Sequence, residues 1–396
     1  MSAENARPGA IYSIPGMRMP LFIIGNGCLQ DIGKKVKNLK GKKVIIITDR
    51  NIVKLGLVEK AIKEVEKEGM GVDLFEEVEY EPDIETVEKA IKITRDKAYD
   101  TVIGFGGGSA LDAAKVVACL AMNGGSVRDY IGANKISRRG LPFILVPTTA
   151  GTGSEVSPVS VLIDEKTGNK NVVSDGKLFA DVALVDPLLT VRLPAKLTAY
   201  TGVDALCHAM GGYITRKANP LSDALAIEAI YLIGHNLRRA VSRGKVDVEA
   251  RFNMALGAAM GMIARTNSGG GAVHGLSYPL GTKYHLPHGQ SIALLMPHVM
   301  DFNVISAIPK FIRIAQALGE KTDGLTGEKA AYQAIEGIKA LLKDIGIFHG
   351  LRELGVKKED FPSFADIVYE SSYRHIEANP RHLTREDVVQ IYEKAW

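Results

Sequence analysis

The chain predicts a doubly wound α/β N-terminal domain followed by an all-α helical C-terminal domain. Three observations carry this expectation. Short β-branched runs alternate with helical patterns in the first half, the apolar periodicity turns helical beyond about residue 185, and a length of 396 residues favours two domains over one. The expected domains are 1–192 and 193–396.

The run VIIIT (44–48) is continuous and β-branched, as in a strand buried on both faces of a parallel sheet. An amphipathic helical stretch over 53–68 follows and ends at Gly69. A second strand is expected over 72–75, a helix over 84–96, a third strand over 101–105, a helix over 111–122 and a fourth strand over 143–146. Such alternation builds a sheet with helices on both faces. Asp186-Pro187 and Leu193-Pro194 then break the chain. Helical patterns cover 201–214, 223–239, 248–264 and 328–344, so a helical bundle is expected, with the ligand cleft between the halves.

Composition excludes several classes. Hydrophobic residues make up 46% and charged residues 24%, which is ordinary for a globular chain. Cys28, Cys119 and Cys207 are odd in number and far apart, forming neither a CxxC nor a disulfide framework, which points to the reducing cytoplasm. The net charge is +4, and basic residues are interspersed with acids, as in 60–68, so no nucleic-acid patch is expected. Glu4 and Pro8 interrupt the apolar stretch a secretory signal needs. No window approaches about 18 uninterrupted apolar residues, so no membrane partner is expected.

The turn Gly104-Phe105-Gly106-Gly107-Gly108-Ser109 follows the third predicted strand and opens a helix. Glycines admit a close backbone approach, and the free N–H groups of a helix start suit a pyrophosphate. The bland alternative is a tight turn. A second polar cluster, Pro147 to Glu155, follows the FILV strand, where Thr148, Thr149 and Thr152 offer hydroxyls to phosphate and ribose. Strand C-termini of an open α/β sheet face one edge, so both loops meet the same ligand. Asp49 closes the first predicted strand. A carboxylate there accepts bonds from ribose hydroxyls and repels a 2′-phosphate, favouring NAD over NADP; the alternative is a helix N-cap.

Asp204 and His208 stand four residues apart in a helical pattern and so share a face. His274 and His288 flank the glycine- and proline-broken stretch VHGLSYPLGTKYHLPHG. Three imidazoles and a carboxylate suit Fe²⁺ or Zn²⁺, although spacing alone does not bring the two segments together. His235, His298, His349, His375 and His382 read as ordinary core or surface residues.

GGGSALDAAK (106–115), PTTAGTGSEV (147–156), DPLLTVRLPAKLTAYTGVDALCHAMGGYIT (186–215) and VHGLSYPLGTKYHLPHG (273–289) resemble, in order, the signatures of the iron-containing (group III) alcohol dehydrogenases. The resemblance spans nearly the whole chain. It implies a nucleotide-binding α/β domain, a helical domain, a metal in the cleft and a homodimer or higher homo-oligomer, the architecture shared with dehydroquinate synthase. By position it implies Asp204, His208, His274 and His288 as metal ligands. Gly107, Gly108, Ser109 and Asp112 fall on the pyrophosphate loop, Thr148, Thr149 and Thr152 on the second nucleotide loop. Lys170 falls near the nicotinamide ribose, and Asp49 on the adenosine ribose. Two positions depart from the pattern. Tyr278 stands where many members carry a histidine that helps move the alcohol proton, which brings HGLSYP closer to the hydroxyacid–oxoacid transhydrogenase branch. Val159 stands where some members have a nucleotide-contacting asparagine.

The expected activity is hydride transfer between NAD and a small alcohol, aldehyde or 2-hydroxyacid, the substrate oxygen binding Fe²⁺ (or Zn²⁺) in the cleft. Tyr278, His285 or the nicotinamide ribose would pass the proton. One alternative is a hydroxyacid–oxoacid transhydrogenase that retains its nicotinamide. Another is a metal- and NAD-using lyase of the dehydroquinate synthase type, which needs phosphate-binding basic residues that these segments do not supply. A non-enzymatic NAD-binding protein is opposed by the complete ligand set.

Overall fold

The computed structural model describes residues 17–396 apart from 167, 168 and 348. Glu4 and Pro8, on which the reading of the N-terminus rests, lie outside the described residues. The described chain divides into two compact units, Met19–Arg192 and Leu193–Trp396, and Met17 and Arg18 group with the second, so the first domain does not take in the residues before Met19 as expected.

The first unit opens with β1 (Leu21–Ile24), α1 (Ile32–Asn38), β2 (Lys43–Ile47), α2 (Arg50–Lys54), α3 (Val58–Lys67) and β3 (Gly71–Phe75). It continues through α4 (Ile84–Asp96), β4 (Thr101–Gly106), α5 (Gly108–Ala121), β5 (Gly132–Ala133) and β6 (Phe143–Pro147). It ends with β7 (Val159–Asp164), β8 (Asn169–Ser174) and β9 (Val182–Val185). Six strands form one parallel sheet in the order β1-β9-β6-β4-β2-β3. The side chains of these strands alternate between two cores. Ile45, Ile47, Val102, Phe143 and Leu145 pack with α4 and α5 on one face. Val44, Ile46, Ile103, Phe105, Ile144 and Val146 pack with α1 and α3 on the other. This is the doubly wound architecture, with both faces of a parallel sheet covered.

Sequence patterning misses several pieces of it. The edge strand β1 and the inner strand β9 are four residues each, too short to show a period. Because β1 exists, the glycine turn follows the fourth strand of the chain and not the third. The stretch read as one helix over 53–68 is two, α2 and α3, split where Gly56 takes a φ of 68°. A second sheet, β5-β8-β7, also went unread; its β7–β8 pair is an antiparallel hairpin.

The strand order carries functional weight. From β2 the chain passes to β3 on one side, then crosses back to β4 on the other. The reversal between β2 and β4 is a topological switch point, where open α/β sheets bind ligands beyond the strand C-termini. Asp49 follows β2 and the glycine turn follows β4.

The second unit is helical: α6 (Ala195–Ile214), α7 (Pro220–Arg243), α8 (Val248–Ser268), α9 (Ala272–Tyr284) and α10 (His288–Asn303). It closes with α11 (Ile308–Ala317), α12 (Gly327–Asp344), α13 (Phe361–Ser371), α14 (Tyr373–Ala378) and α15 (Arg385–Ala395). Helices α6, α7 and α8 pack on one another, and α6 is buried around most of its circumference. Among the described residues, no helix is long and apolar enough to cross a membrane.

Arg251 of α8 is buried and bonds the start of this unit without any carboxylate partner among its described bonds. It donates to the Gly244 carbonyl at 3.1 Å, the Thr198 hydroxyl at 2.9 Å and the Leu193 carbonyl at 3.3 Å. Burial pulls its pKa down, so these three acceptors are what keep the cation in place. Arg251→Met is therefore expected to cost about 1.5–3 kcal/mol, the range for hydrogen bonds to a charged group, read as a lower urea midpoint at unchanged slope.

Candidate functional site

In the helical unit, one turn of α6 presents Asp204, Cys207 and His208 on a single face, as positions i, i+3 and i+4 must. Two glycines let neighbouring backbone approach this helix. A Cβ on Gly211 would lie 3.1 Å from the Gly271 nitrogen, and one on Gly212 would lie 3.0 Å from the Arg265 nitrogen. Gly271 immediately precedes α9, so this approach seats His274 against α6. A Cβ on Gly289 would lie 2.4 Å from the Tyr200 carbonyl oxygen, so His288, the first residue of α10, also sits against α6. Asn303 and Asn379, both fully buried, exchange hydrogen bonds of 3.0 and 2.7 Å. Asn379 also accepts from the Ala272 nitrogen at 3.4 Å, tying down the start of α9.

The outcome is a cluster around one oxygen. Asp204 Oδ1 lies 3.4 Å from His274 Nε2 and 3.6 Å from the Nε2 atoms of His208 and His288. Among the described residues, the buried Asp204 Oδ1 and His274 Nε2 have no hydrogen-bond partner, and the same holds for His208 Nδ1. Donor atoms of Asp204, His274 and His288 lie mutually within 4.8 Å; His208 stands at the edge of that group, its ring stacked on His274 with centroids 4.6 Å apart. Burial holds the His208 and His274 pKa values well below the ordinary 6.5, so both imidazoles are neutral and keep a lone pair. A buried carboxylate oxygen that accepts no hydrogen bond among the described residues, facing neutral imidazoles, fits a divalent metal ion.

The sequence expectation for His274 and His288 needs correction. The stretch is not broken by its glycines and Pro279: it forms α9, with Pro279 inside the helix, and the start of α10, and His274 is buried in packed structure. His375, read as an ordinary histidine, is buried beside the cluster. Its ring lies 6.3 Å from that of His274 and 5.9 Å from that of Tyr278, and its Nε2 has no partner. A Cβ on Gly275 would lie 3.2 Å from the His375 Cβ, so the glycine after His274 makes this packing possible. No sequence signal marked His375 or Cys207. The Tyr278 ring stacks near His288 at 6.3 Å. His285 does not join the cluster: it caps α9 in a left-handed conformation, φ 52°, and is exposed.

In the α/β unit, the loops after β2, β4 and β6 stand side by side. Ile47 pairs with Gly104, Gly106 pairs with Pro147, and the Thr148 nitrogen donates to the Gly106 carbonyl at 2.9 Å. Gly107 caps α5 without a side-chain bond, which leaves the first N–H groups to an outside acceptor. A Cβ on Gly108 would lie 2.7 Å from Thr152 Cγ2, and one on Gly107 3.7 Å from Thr149 Cγ2, so the two loops close on each other. Asp49 caps α2, its Oδ1 accepting from the Asn51 and Ile52 nitrogens, so the N-cap alternative is realised there. Ser109 Oγ accepts from the Glu81 nitrogen at 3.3 Å, and Lys170 pairs with Glu81.

Asp112 faces inward. Its oxygens accept from Ser154 Oγ, Lys115 Nζ and the Val161 nitrogen. Lys115 is fully buried and bonds Ser154 Oγ at 2.6 Å, Ser157 Oγ at 3.3 Å and the Val159 carbonyl at 2.7 Å as well as Asp112. Burial lowers the Lys115 pKa, which the Asp112 carboxylate partly restores, and burial pushes neighbouring Glu155 up to about 7. This network binds α5 to the loop after β6.

Comparison with known proteins settles the family. The family model described as iron-containing alcohol dehydrogenase matches residues 20–187, and the one described as Fe-containing alcohol dehydrogenase family, C-terminal, matches 198–396. The chain belongs to the iron-containing alcohol dehydrogenases. It is 42% identical to long-chain-alcohol dehydrogenase 1 of Geobacillus thermodenitrificans over 380 residues, 95% of each chain. It is 38% identical to the NAD-dependent methanol dehydrogenase of Bacillus methanolicus, covering 95% of this chain and 98% of that one. A crystal structure of a 1,3-propanediol oxidoreductase superposes with a TM-score of 0.93 at 36% identity, covering 96% and 99% of the two chains. The chain is thus an oxidoreductase of this family, acting on alcohols or aldehydes.

The inward network makes a measurable claim. Lys115→Met removes the cation from a buried set of acceptors and should destabilise the protein by about 3–5 kcal/mol, as when one partner of a buried ion pair is lost. Chemical denaturation checks the expectation, and a change under 1 kcal/mol would contradict it.

Proposed function

We propose that the chain transfers a hydride between a small alcohol and NAD, with Asp204, His208, His274 and His288 holding one ferrous ion. The observation that carries this reading is the buried Asp204 Oδ1, facing three imidazole nitrogens at 3.4–3.6 Å with no hydrogen-bond donor of its own. A divalent ion held there supplies Lewis acidity, easing loss of a hydroxyl proton in one direction and polarising a carbonyl in the other. NAD supplies the hydride acceptor.

The remaining work belongs to the side chains. Gly107, Gly108 and Ser109 offer the open N–H groups of α5 to the pyrophosphate, with Thr148, Thr149 and Thr152 beside them. Asp49 retains Oδ2 for the ribose while Oδ1 caps α2; the NAD dependence of the methanol-oxidising relative supports this choice of cofactor. Asp112 acts through the loop it anchors, and Lys170 reaches the nicotinamide end once it leaves or shares Glu81. Tyr278 orients the substrate from its place beside His288, and His285, exposed at the end of α9, is a second candidate for passing the proton.

Two measurements test the reading. His274→Ala should lower bound iron or zinc, measured by mass spectrometry after anaerobic purification, and NADH formation at 340 nm should fall with it. Full activity without metal loss refutes the ligand assignment. Asp49→Gly should narrow or reverse a preference for NAD over NADP, since a poorly solvated 2′-phosphate beside a carboxylate pays about 1–3 kcal/mol. Catalytic efficiencies favouring NADP in the unaltered enzyme would reject the role of Asp49.

A further inference from the structure

We propose that Cys207 is a positioning residue for His274, serving as the hydrogen-bond partner that fixes which ring nitrogen faces the metal. The proposal rests on the metal-site reading above. Cys207 Sγ lies 3.7 Å from His274 Nδ1, and both side chains are buried. The other nitrogen, Nε2, is the one that points at Asp204 Oδ1 and has no partner. The two nitrogens of this ring therefore have separate assignments: one to sulfur, the other to the ion.

A neutral imidazole carries one N–H. When Nε2 gives its lone pair to a metal, the hydrogen must sit on Nδ1, and a buried Nδ1–H needs an acceptor. Cys207 Sγ is the acceptor within reach. In the metal-free protein the hydrogen can sit instead on Nε2, which points at Asp204 Oδ1 3.4 Å away, and the thiol then donates to Nδ1. A backbone carbonyl accepts only, and would hold the ring in one tautomer. A thiol both donates and accepts, so Nδ1 of His274 keeps a partner in either state without the ring rotating.

Helix geometry makes the arrangement stiff. Asp204, Cys207 and His208 come from one turn of α6, so the partner that orients His274 shares a rigid frame with two of the proposed ligands.

The test uses Co²⁺ as the probe, followed by its visible absorption on the full-length metal-free protein. Cys207→Ala leaves Nδ1–H without an acceptor and is expected to weaken Co²⁺ binding by about 10–100-fold, the usual effect of losing such a partner. Cys207→Ser restores an atom that donates and accepts, and should bind within about threefold of the unaltered protein. Affinity of the alanine variant within that margin overturns the proposal, as does a serine variant as weak as alanine. His274→Ala separates this from the parent reading: Co²⁺ binding undiminished in that variant refutes the metal site itself. If the alanine variant does not fold, the unaltered protein decides. In ¹⁵N-histidine spectra of the zinc-loaded form, His274 should be the Nδ1–H tautomer, and an Nε2–H signal would rule the proposal out.

Discussion

Asp204 carries a carboxylate into a helix core where nothing donates to Oδ1, and much of the helical unit is arranged around that oxygen. Leaving a charge unpaired in such a place costs several kcal/mol, more than a marginally stable fold can spare for no return. Nearby imidazoles cannot neutralise it, because burial keeps His208 and His274 uncharged. The constraint reaches outward from there. Glycines at 211, 212 and 289 bring three helices close enough to face the oxygen, and the Asn303–Asn379 pair secures the start of α9. Gly275 then opens space for His375.

The α/β unit answers a different problem, that of presenting N–H groups and hydroxyls to a polyanion. Its solution is a switch point between β2 and β4, with three loops held side by side. The polar residues there divide into those that face out and those that face in. Asp112 and Lys115 belong to the second kind: every described bond of these two side chains goes to the fold itself. Asp112 sits inside a sequence signature associated with pyrophosphate, yet its carboxylate is spent on holding α5 to the loop after β6. A residue of a binding motif can thus also hold the loop that carries the motif.

Where the sequence was legible, local physics and tertiary packing agreed. The helix over 84–96 was readable because its apolar period is strong and Asp83 caps it, and its observed bounds are those expected. The buried strands VIII and FILV stood out for their continuous branched runs. The failures have physical causes too. Strand β1 gains its place from pairing with β9, Leu21 with Val182, and β9 from pairing with β1 and β6, partners that no local window sees. In α9, Pro279 breaks the hydrogen bond that would reach back to Gly275, a cost tertiary packing outweighs. Asp204, His208, His274 and His288 came from the resemblance and from ligand chemistry. His375 and Cys207 carried no spacing or composition that set them apart, and only their packing against His274 reveals them.

The division at Arg192 and Leu193 has a consequence for descent. Every residue assigned to the nucleotide precedes it, every residue assigned to the metal follows it, and the Arg251 clamp lies wholly on the later side. A single crossover near that codon boundary would carry the residues proposed for the nucleotide as one block and leave those proposed for the metal in place.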